Sequence, residues 1–322
     1  MDFTTFFWID SLIMRYNVCY LSYLINRIKN MKTLIFLNPS SAKGRALGIK
    51  ELIESEFKKL EMDYSIHISK SSQDIMDTVK SNLKNDFSNF VAVGGDGTVH
   101  YIANALAGTD KKLGVIPTGS GNDISTTLGI PSDIVKCCQI IKKGKTKKLD
   151  LGLINDKYYY VCVAGSGFDS QVNDLANNTR LPLRGPIKYT YAVYKTLITF
   201  KSKKLYLSYD KSRREIYGMM IAVANMPMYG GGMKITPAAD PQDGLFDICI
   251  IKRMSKLHFI KIFPKVYEGK HVGDIHVEIF KTNSCLIDSE YQFSVFADGE
   301  YICKLPANFK IVPKTLNFIV GD

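Results

Sequence analysis

The order of short apolar runs and helical patterns in the first half of the chain constrains its fold most. Apolar runs typical of buried strands lie at residues 33–37, 64–68, 90–93 and 113–116. Apolar residues at helical spacing recur between and after them, at 49–60, 74–83 and 99–106. Because parallel strands need a long crossover connection, this alternation predicts an α/β domain with a parallel sheet and helices on both faces.

The pattern changes after Gly152, where strand-like segments follow one another with few helical stretches between them. These segments, rich in Tyr, Val, Ile and Phe, lie at residues 158–163, 205–209, 216–223, 246–251, 277–280 and 293–296. One clear exception is residues 187–200, which carry a helical aromatic stripe. An all-β sandwich or barrel is therefore predicted for this half. The last two strand-like segments, 309–312 and 316–320, could pair with either half.

Residues 1–30 precede the first predicted strand and hold many aromatic and aliphatic side chains. Their first charges are Asp2 and Asp10, and they show neither the basic n-region nor the small-residue cleavage site of a signal peptide. Two hypotheses stay open for this extension. It is either an amphipathic surface segment or an artefact of start-site choice upstream of Met31.

Charge and cysteine usage narrow the class of protein. The 322 residues carry a formal net charge of +11, which favours an anionic partner: a nucleotide, a nucleic acid or a membrane surface. The Lys-rich run 136–148 is typical of a solvated face, so no nucleic-acid site is predicted. Seven Cys without a Cys-x-x-Cys pair indicate a reducing compartment. Since no apolar stretch is long enough for a transmembrane helix, a cytoplasmic protein is expected.

The strongest motif is Gly94-Gly95-Asp96-Gly97-Thr98, where an apolar run ends and a helical pattern begins. Glycines there let a ligand approach the backbone closely, and the free N–H groups of a helix N-terminus attract phosphate. Asp96 could also hold Mg²⁺, directly or through water. A tight turn with Asp96 as helix cap is the alternative, but the position between strand and helix favours phosphate binding.

Two further polar turns follow predicted strands, at residues 38–44 and 117–123. The carboxyl ends of parallel strands share one edge of the sheet, and ligands of open α/β folds bind at that edge. The three turns are therefore expected to face one crevice, which predicts a nucleotide site. The sequence has no P-loop, and no dinucleotide-binding Gly-x-Gly-x-x-Gly follows the first strand.

Two acidic turns stand out in the second half. Residues 237–247 offer carboxylates and backbone carbonyls that could bind a hard cation, with an ordinary Asp-Gly turn as the alternative. Asp298-Gly299-Glu300 lies between strands, where Asp-Gly is favoured for conformational reasons alone. The five His have no metalloprotease-like spacing, and His271 and His276 are expected at the surface.

The order of these motifs resembles the diacylglycerol kinase catalytic family, especially its soluble bacterial lipid kinases. The shared motifs are Asn38-Pro39-x-Ser41, Gly94-Gly95-Asp96-Gly97-Thr98, Gly114-Val-Ile-Pro117-x-Gly119-x-Gly121-Asn122-Asp123, Pro237-x-Ala239 with Asp243-Gly244, and Asp298-Gly299-Glu300. The resemblance runs from about Lys32 to Val320. It implies an α/β ATP-binding domain at 31–152, completed by 304–322, and a β-sandwich lipid-substrate domain at 153–303.

The same resemblance implies transfer of the γ-phosphate of ATP to a lipid hydroxyl, with diacylglycerol as the first acceptor expected. The implied ATP contacts are Asn38, Pro39, Ser40, Ser41, Ala42, Lys43, Ser69, Gly94, Gly95, Asp96, Gly97, Thr98, Val99, His100 and Ser120. A structural Mg²⁺ is implied at Asp240, Asp243 and Leu245. Of the implied catalytic carboxylates, Glu300 is expected to accept the proton, while Asp298 orients it or joins a Mg²⁺–water network through Asp96. The roles of Glu300 and Asp298 could be reversed.

Three positions depart from the family pattern: Ala42 replaces a usual Gly, His100 a usual Asn and Ser120 a usual Thr. Ser120 keeps a hydroxyl, Ala42 makes backbone approach to phosphate slightly tighter, and His100 changes one expected ATP contact.

A lipid kinase without a membrane span is expected to meet an anionic membrane surface peripherally, and a homodimer is left open. Basic residues across 180–201 could lie on lipid headgroups, with Tyr191 and Tyr194 either at the interface or in the core.

Two other functions are weighed. An NAD kinase shares Gly-Gly-Asp-Gly, but the Asn-Pro-x-Ser opening and the late Asp-Gly-Glu oppose it. The intact Asp96, Asp298 and Glu300 oppose a catalytically silent regulator that binds lipid or nucleotide.

Overall fold

The computed structural model describes residues 32–39, 46–179 and 185–321. The predictions for the extension 1–30 and for Ser40, Ser41, Ala42 and Lys43 fall outside the described residues, and so do those for the basic residues Arg180 and Arg184.

Strands and helices alternate through the described part of the first half. In chain order they are β1 (Lys32–Leu37), α1 (Ala46–Lys59), β2 (Tyr64–Ile68), α2 (Ser72–Asn82), β3 (Phe87–Gly94), α3 (Asp96–Leu106), β4 (Lys112–Pro117), α4 (Asp123–Thr127) and α5 (Ile134–Lys143). The strands lie in the order β4–β3–β1–β2, and each neighbouring pair is parallel. Helix α1 packs against α5, and α2 packs against α3. Each strand and helix predicted for this half is present.

The second half is built mostly from antiparallel strands. Its elements are β5 (Thr146–Ile154), β6 (Tyr158–Tyr160), β7 (Val163–Gly167), α6 (Phe168–Asn178), α7 (Gly185–Thr199), β8 (Lys203–Tyr209), β9 (Ser212–Ala224), β10 (Phe246–Lys252), α8 (Lys256–Val266), β11 (Val277–Thr282), β12 (Ser284–Asp288), β13 (Ser294–Ala297), β14 (Glu300–Lys304) and β15 (Ala307–Ile319). The predicted fold class, a helix-flanked parallel sheet followed by a β-sandwich-like part, is confirmed.

Helices α6 and α8 correct the expectation that residues 187–200 form the one clear helix of the second half. Helix α8 buries Phe259, Ile262, Phe263 and Val266, which follow helical spacing. Its N-cap is Ser255, whose hydroxyl accepts the His258 N–H. The sequence alone does not predict this helix, because a short apolar run between strand-like segments is compatible with either a strand or a helix.

Strand β15 joins the two halves of the chain. Its first residues pair antiparallel with β12, its last pair parallel with β4, and β5 pairs along nearly its whole length. Among the described residues the strands form one continuous hydrogen-bonded network, whose main path runs β14–β13–β7–β9–β8–β12–β15–β4–β3–β1–β2. The last segments of the chain thus pair with both halves, an outcome that local pattern could not decide. No helix within the described ranges is both long and apolar enough to cross a membrane.

Candidate active site

The described residues of the three polar turns, which for the first turn are Asn38 and Pro39, meet at one edge of the sheet. The Asn38 side-chain amide donates to the Thr98 hydroxyl at 3.2 Å, and the Thr118 N–H donates to the Gly94 carbonyl at 3.0 Å. A Cβ at Gly119 would approach the Gly95 Cα to 2.5 Å, so this close packing of turns requires glycine. Parallel pairing of β1, β3 and β4 produces the convergence that the sequence predicts.

Asp96 is the first residue of α3 and turns its carboxylate toward the next helix of the domain. Its two oxygens accept the N–H groups of Asp123 and Ile124, both at 3.1 Å. Burial and the neighbouring Asp123 charge raise the pKa of Asp96 to about 6. Asp96 therefore caps α4 and keeps a carboxyl that ionises near neutral pH at the edge of the sheet.

Asp123 links the first half to a glycine-rich turn of the second. Its carboxylate accepts the Gly231 N–H at 2.8 Å and the Gly232 N–H at 2.7 Å, and burial raises its pKa. The sequence assigned Asp123 no role of its own. In the sequence, only its position at the end of the third polar turn could indicate a role, because its partners Gly231 and Gly232 lie 108 and 109 residues further along the chain.

Asp298 is buried and fully engaged by hydrogen bonds. Its carboxylate accepts the N–H groups of Val161 and Cys162, both at 2.8 Å, and lies 2.9 Å from Nδ1 of His100. Its side chain is 1% exposed and its φ is 51°, a left-handed value that Asp tolerates better than most residues. Asp298 thus connects the Asp298-Gly299-Glu300 turn to His100 of α3 and to Val161 and Cys162, which lie between β6 and β7.

Glu300 lies across from the Gly-Gly-Asp-Gly-Thr turn. Its Oε1 is 3.0 Å from where a Cβ at Gly97 would stand, and its Oε2 accepts the Tyr101 hydroxyl at 2.7 Å. Burial, and then the Glu300 contact, raise the pKa of Tyr101, which stays a neutral donor. A carboxylate from the second half is therefore held against the start of a helix from the first.

A cleft of about 280 Å³ lies between the two halves. Asp96, Asp123 and Asp298 supply its acidic wall, and Ser120 and Lys188 also line it. Glu300 lies beside this cleft through its neighbour Gly299. The structure thus brings Asp96, Ser120 and Asp298 of the predicted site to one cavity.

Three other predicted contacts have different surroundings. Ser69 is buried, and its hydroxyl donates to the Leu37 carbonyl at 3.1 Å. Val99 packs in the core. His100 is buried between Asp298 and Asn104. The side chains of Val99 and His100 therefore point into protein, whereas Asn38 and Thr98 lie at the sheet edge.

An apolar cavity lies next to the cleft, and Tyr189 and Tyr229 line both. Both tyrosine hydroxyls donate to one oxygen of the buried Asp169, at 2.8 and 3.0 Å. Burial raises the pKa of Asp169, while the two hydroxyls favour its charged form. We call these three residues the tyrosine collar. They form the polar junction between an acidic cleft and a cavity walled mostly by aliphatic and aromatic side chains.

Each half of the chain matches a known protein family. Residues 32–154 match the family described as the diacylglycerol kinase catalytic domain, and residues 162–320 match the YegS C-terminal NAD kinase beta sandwich-like domain. A diacylglycerol kinase of Mycobacterium tuberculosis is 31% identical over 294 residues, spanning 89% of this chain and 94% of its own length.

The chain belongs to the diacylglycerol kinase family.

Two further relatives agree with this family. A diacylglycerol kinase of Bacillus subtilis is 28% identical over 280 residues, covering 85% of this chain and 91% of its own. The crystal structure of a diacylglycerol kinase from Bacillus anthracis superposes with a TM-score of 0.72 at 22% identity, over 90% of this chain and 97% of that one, which shows a shared fold. Family membership makes the chain a lipid kinase, as the order of its motifs predicts.

The turn that the family resemblance marks for Mg²⁺ lies away from the cleft and already holds a positive charge. The Lys281 ammonium is 2.6 Å from an Asp243 oxygen and 3.3 Å from an Asp247 oxygen. Asp240 accepts the Gln242 N–H, and Asp243 accepts the Leu245 N–H. The oxygens of Asp240 and Asp243 suit a hard cation, and the single Lys281 charge leaves a turn with Asp240, Asp243 and Asp247 net negative, so the Mg²⁺ assignment stays a prediction with Lys281 as a competitor.

The histidines differ from the sequence prediction in one respect. His271 is 1% exposed, so its predicted surface position is wrong. It lines the apolar cavity, where the fold of the 267–276 connection carries it inward. His276 is partly exposed and lies with His258 and Asp274 in a group whose ligand atoms are within 4.8 Å of one another. Sequence spacing alone could not assemble this group, because a turn brings its members together.

Proposed function

We propose that this lipid kinase transfers the γ-phosphate of ATP to the hydroxyl of a membrane lipid, with diacylglycerol as acceptor and phosphatidate as product. The observation that carries the proposal is the position of Glu300 against Gly97. A carboxylate that can take a proton stands beside a helix N-terminus that can hold phosphate. Phosphoryl transfer depends mainly on such positioning and on neutralisation of charge.

The sheet edge supports a nucleotide site. Backbone N–H groups at the start of α3 and the Asn38 and Thr98 side chains would bind the phosphates. A cavity of about 620 Å³ lies on the same edge, lined by Ile49 and Leu52 of α1 and by the Pro117-Thr118 turn. Its apolar side chains suit a base, and its polar rim suits a ribose.

In the proposed reaction the lipid hydroxyl oxygen attacks the γ-phosphorus of ATP. A new P–O bond forms, the bond from γ-phosphorus to the bridging oxygen breaks, and ADP leaves. Glu300 accepts the hydroxyl proton, and the Tyr101 hydroxyl orients the carboxylate through its 2.7 Å hydrogen bond. Asp298 acts as a positioning residue, because its own oxygens are engaged by Val161, Cys162 and His100.

A magnesium ion is part of the proposal as the partner of ATP. Asp96 is the residue we assign to hold it near the phosphates, since this carboxylate lies at the cleft and each of its oxygens accepts a single N–H and keeps a second lone pair. The ion would supply charge neutralisation.

The surface of α7 supports a lipid rather than a soluble acceptor. Ile187, Tyr191, Tyr194 and Ile198 recur at helical spacing and are exposed, Ile187 at 67% and Ile198 at 65%. Of the two alternatives for Tyr191 and Tyr194, their exposure favours the interface over the core. The opposite face of α7 contributes Tyr189 and Val193 to the apolar cavity. One face of α7 would thus contact the bilayer, and its opposite face would contact the bound lipid.

Positive charge around this face supports an anionic membrane as the proposed partner. Lys188, Lys195 and Lys201 lie on or just after α7, and Lys256 and Lys261 lie on α8, whose Leu257 is also exposed. The Lys256 ammonium donates to the Ile198 carbonyl, which holds the two helices side by side. Basic and apolar side chains on one surface are typical of peripheral membrane contact.

The test is transfer of labelled γ-phosphate from ATP to diacylglycerol in vesicles that contain phosphatidylglycerol, with NAD⁺ as a parallel acceptor. We expect labelled phosphatidate from the wild-type chain and from Glu290→Gln, an exposed glutamate used as control. Glu300→Gln should lose most of this activity. Label on NAD⁺ instead would favour the NAD kinase alternative, and lipid binding without transfer to any lipid would favour the silent regulator.

A further inference from the structure

His271 lines the apolar cavity, and one of its buried imidazole nitrogens has no hydrogen-bond partner among the described residues. His271 Nε2 is 3.0 Å from the Ile235 carbonyl, and within the described ranges Nδ1 has no hydrogen-bond partner. A carbonyl can only accept, so Nε2 carries the ring proton and Nδ1 presents a lone pair. Burial lowers the pKa of His271, which keeps the ring neutral at ordinary pH.

An unpaired buried acceptor is costly, and most buried polar side-chain atoms in native proteins have a hydrogen-bond partner. Apart from His271, the side chains around this cavity are apolar except for the tyrosine collar at the cleft end, where Asp169 already accepts two hydroxyls. Nδ1 is therefore an unsatisfied acceptor on a residue that lines the cavity, and a hydroxyl on whatever enters can satisfy it.

An acyl chain would require this cavity to widen. Its volume is about 50 Å³, enough for a water molecule but short of an extended acyl chain. Met220, Met233 and Met254 line it, and the unbranched thioether side chain changes rotamer easily to fit an irregular ligand. Because Tyr189 and Tyr229 line both spaces, a lipid whose headgroup occupies the cleft would enter between them.

We propose that His271 determines acceptor specificity by accepting a hydrogen bond at Nδ1 from a hydroxyl on the buried chain of the lipid. The inference rests on the proposed function and names its substrate class: a glycerolipid with a hydroxylated chain. A plain chain leaves Nδ1 unpaired, whereas a hydroxyl at the matching depth satisfies it. One neutral hydrogen bond corresponds to a preference of about three- to tenfold.

Binding is measured first, so that the test does not depend on catalysis. A fluorescent fatty-acid probe is displaced from the wild-type chain by diacylglycerols whose acyl chain is plain or carries one hydroxyl, moved along the chain through a series. We expect one hydroxyl position to bind about three- to tenfold more tightly than the plain chain. Equal displacement at every position would overturn the proposal, and it is the result expected if the cavity holds water only.

Two variants separate the acceptor from the structural role of the ring. His271→Gln can keep a donor near the Ile235 carbonyl while removing the Nδ1 acceptor, and His271→Asn can keep an acceptor near Nδ1 while losing the Ile235 contact. We expect the hydroxyl preference to vanish in His271→Gln and to persist in His271→Asn. Persistence in His271→Gln, with thermal melting confirming a folded protein, would contradict the assignment.

Turnover then distinguishes this inference from the proposed function. The ratio of kcat/KM for hydroxylated over plain acceptors should follow the binding preference and fall to about one in His271→Gln. If no lipid is phosphorylated, the proposed function fails. Probe displacement still shows whether His271 accepts a hydrogen bond from a hydroxyl on the chain.

Discussion

The His100 imidazole and the Asp298 carboxylate, 198 residues apart in the chain, lie 2.9 Å from each other at the junction of the two halves. His100 belongs to the helix that begins at the Gly-Gly-Asp-Gly-Thr turn, and Asp298 opens the turn that carries Glu300. Their contact holds the backbone at the start of α3 and the turn that carries the Glu300 carboxylate at a fixed separation. The departure from the family pattern at position 100 therefore contributes a link between the two halves of the chain.

Glu300→Gln should lower kcat by about 10²-fold or more, because the amide cannot accept the proton of the acceptor hydroxyl. The Tyr101 hydroxyl can still donate to the amide oxygen, so we expect the melting temperature to change little. Steady-state transfer to diacylglycerol and a thermal melt measure the two effects. Near-normal kcat in Glu300→Gln would reject Glu300 as proton acceptor.

Asp298→Asn should reduce stability as well as activity. In Asp298→Asn one side-chain oxygen becomes an NH₂ group, which cannot accept the N–H of Val161 or Cys162. One buried N–H therefore loses its acceptor, so the free energy of unfolding should fall by about 1–3 kcal/mol. Denaturant unfolding of Asp298→Asn and Glu300→Gln side by side tests the difference. If Glu300→Gln proves the less stable of the two, the positioning role of Asp298 is wrong.

Asp96 should set the acid limb of the pH profile. Its pKa is raised from 3.8 to about 6 by burial and by Asp123. The folded state thus holds the Asp96 proton more tightly than the unfolded state, so its contribution to stability is full below pH about 4 and is lost as pH rises through about 6.

Activity should have the opposite trend, because holding a cation requires the ionised carboxylate. We expect kcat/KM to increase through pH about 6 and to lose this inflection in Asp96→Asn. A wild-type profile that is flat between about pH 5 and about pH 7 would count against the assignment.

Lys281 should compete with Mg²⁺ for the turn at Asp243. In Lys281→Met the ammonium no longer competes with a cation for Asp243 and Asp247, so Mg²⁺ should bind about tenfold more tightly or better. Isothermal titration at fixed ionic strength measures this, with the exposed Lys310→Met as control. Equal Mg²⁺ affinity in wild type and Lys281→Met would show that Lys281 does not compete with the cation. Asp243→Asn should weaken Mg²⁺ binding both in the wild-type chain and in Lys281→Met.

The exposed stripe of α7 should be needed for membrane contact but not for chemistry. Replacing Ile187 and Ile198 together by Asp removes apolar area and adds negative charge, so binding to anionic vesicles should weaken about tenfold or more. Vesicle sedimentation measures this, with Leu286→Asp, exposed on β12, as the matched control. Activity on a soluble short-chain acceptor should stay the same, and wild-type binding should weaken at high salt.

Local pattern was sufficient where a segment's own periodicity determines its structure. The strand and helix alternation of the first half, the polar turns after β1, β3 and β4, and their convergence all follow from rules about parallel sheets. The turn at Asp298-Gly299-Glu300 was recognised by family resemblance, since Asp-Gly between strands is otherwise an ordinary hairpin signal.

The sequence by itself thus determined the fold class and the edge of the sheet at which the polar turns converge, because the period of apolar residues and the position of glycines are local properties. Tertiary structure alone decided that Asp123 reaches Gly231 and Gly232, that Asp298 is engaged by His100, and that His271 is buried against an apolar cavity. These contacts join residues far apart in the chain, and whether a side chain is buried depends on what folds against it rather than on its neighbours in sequence.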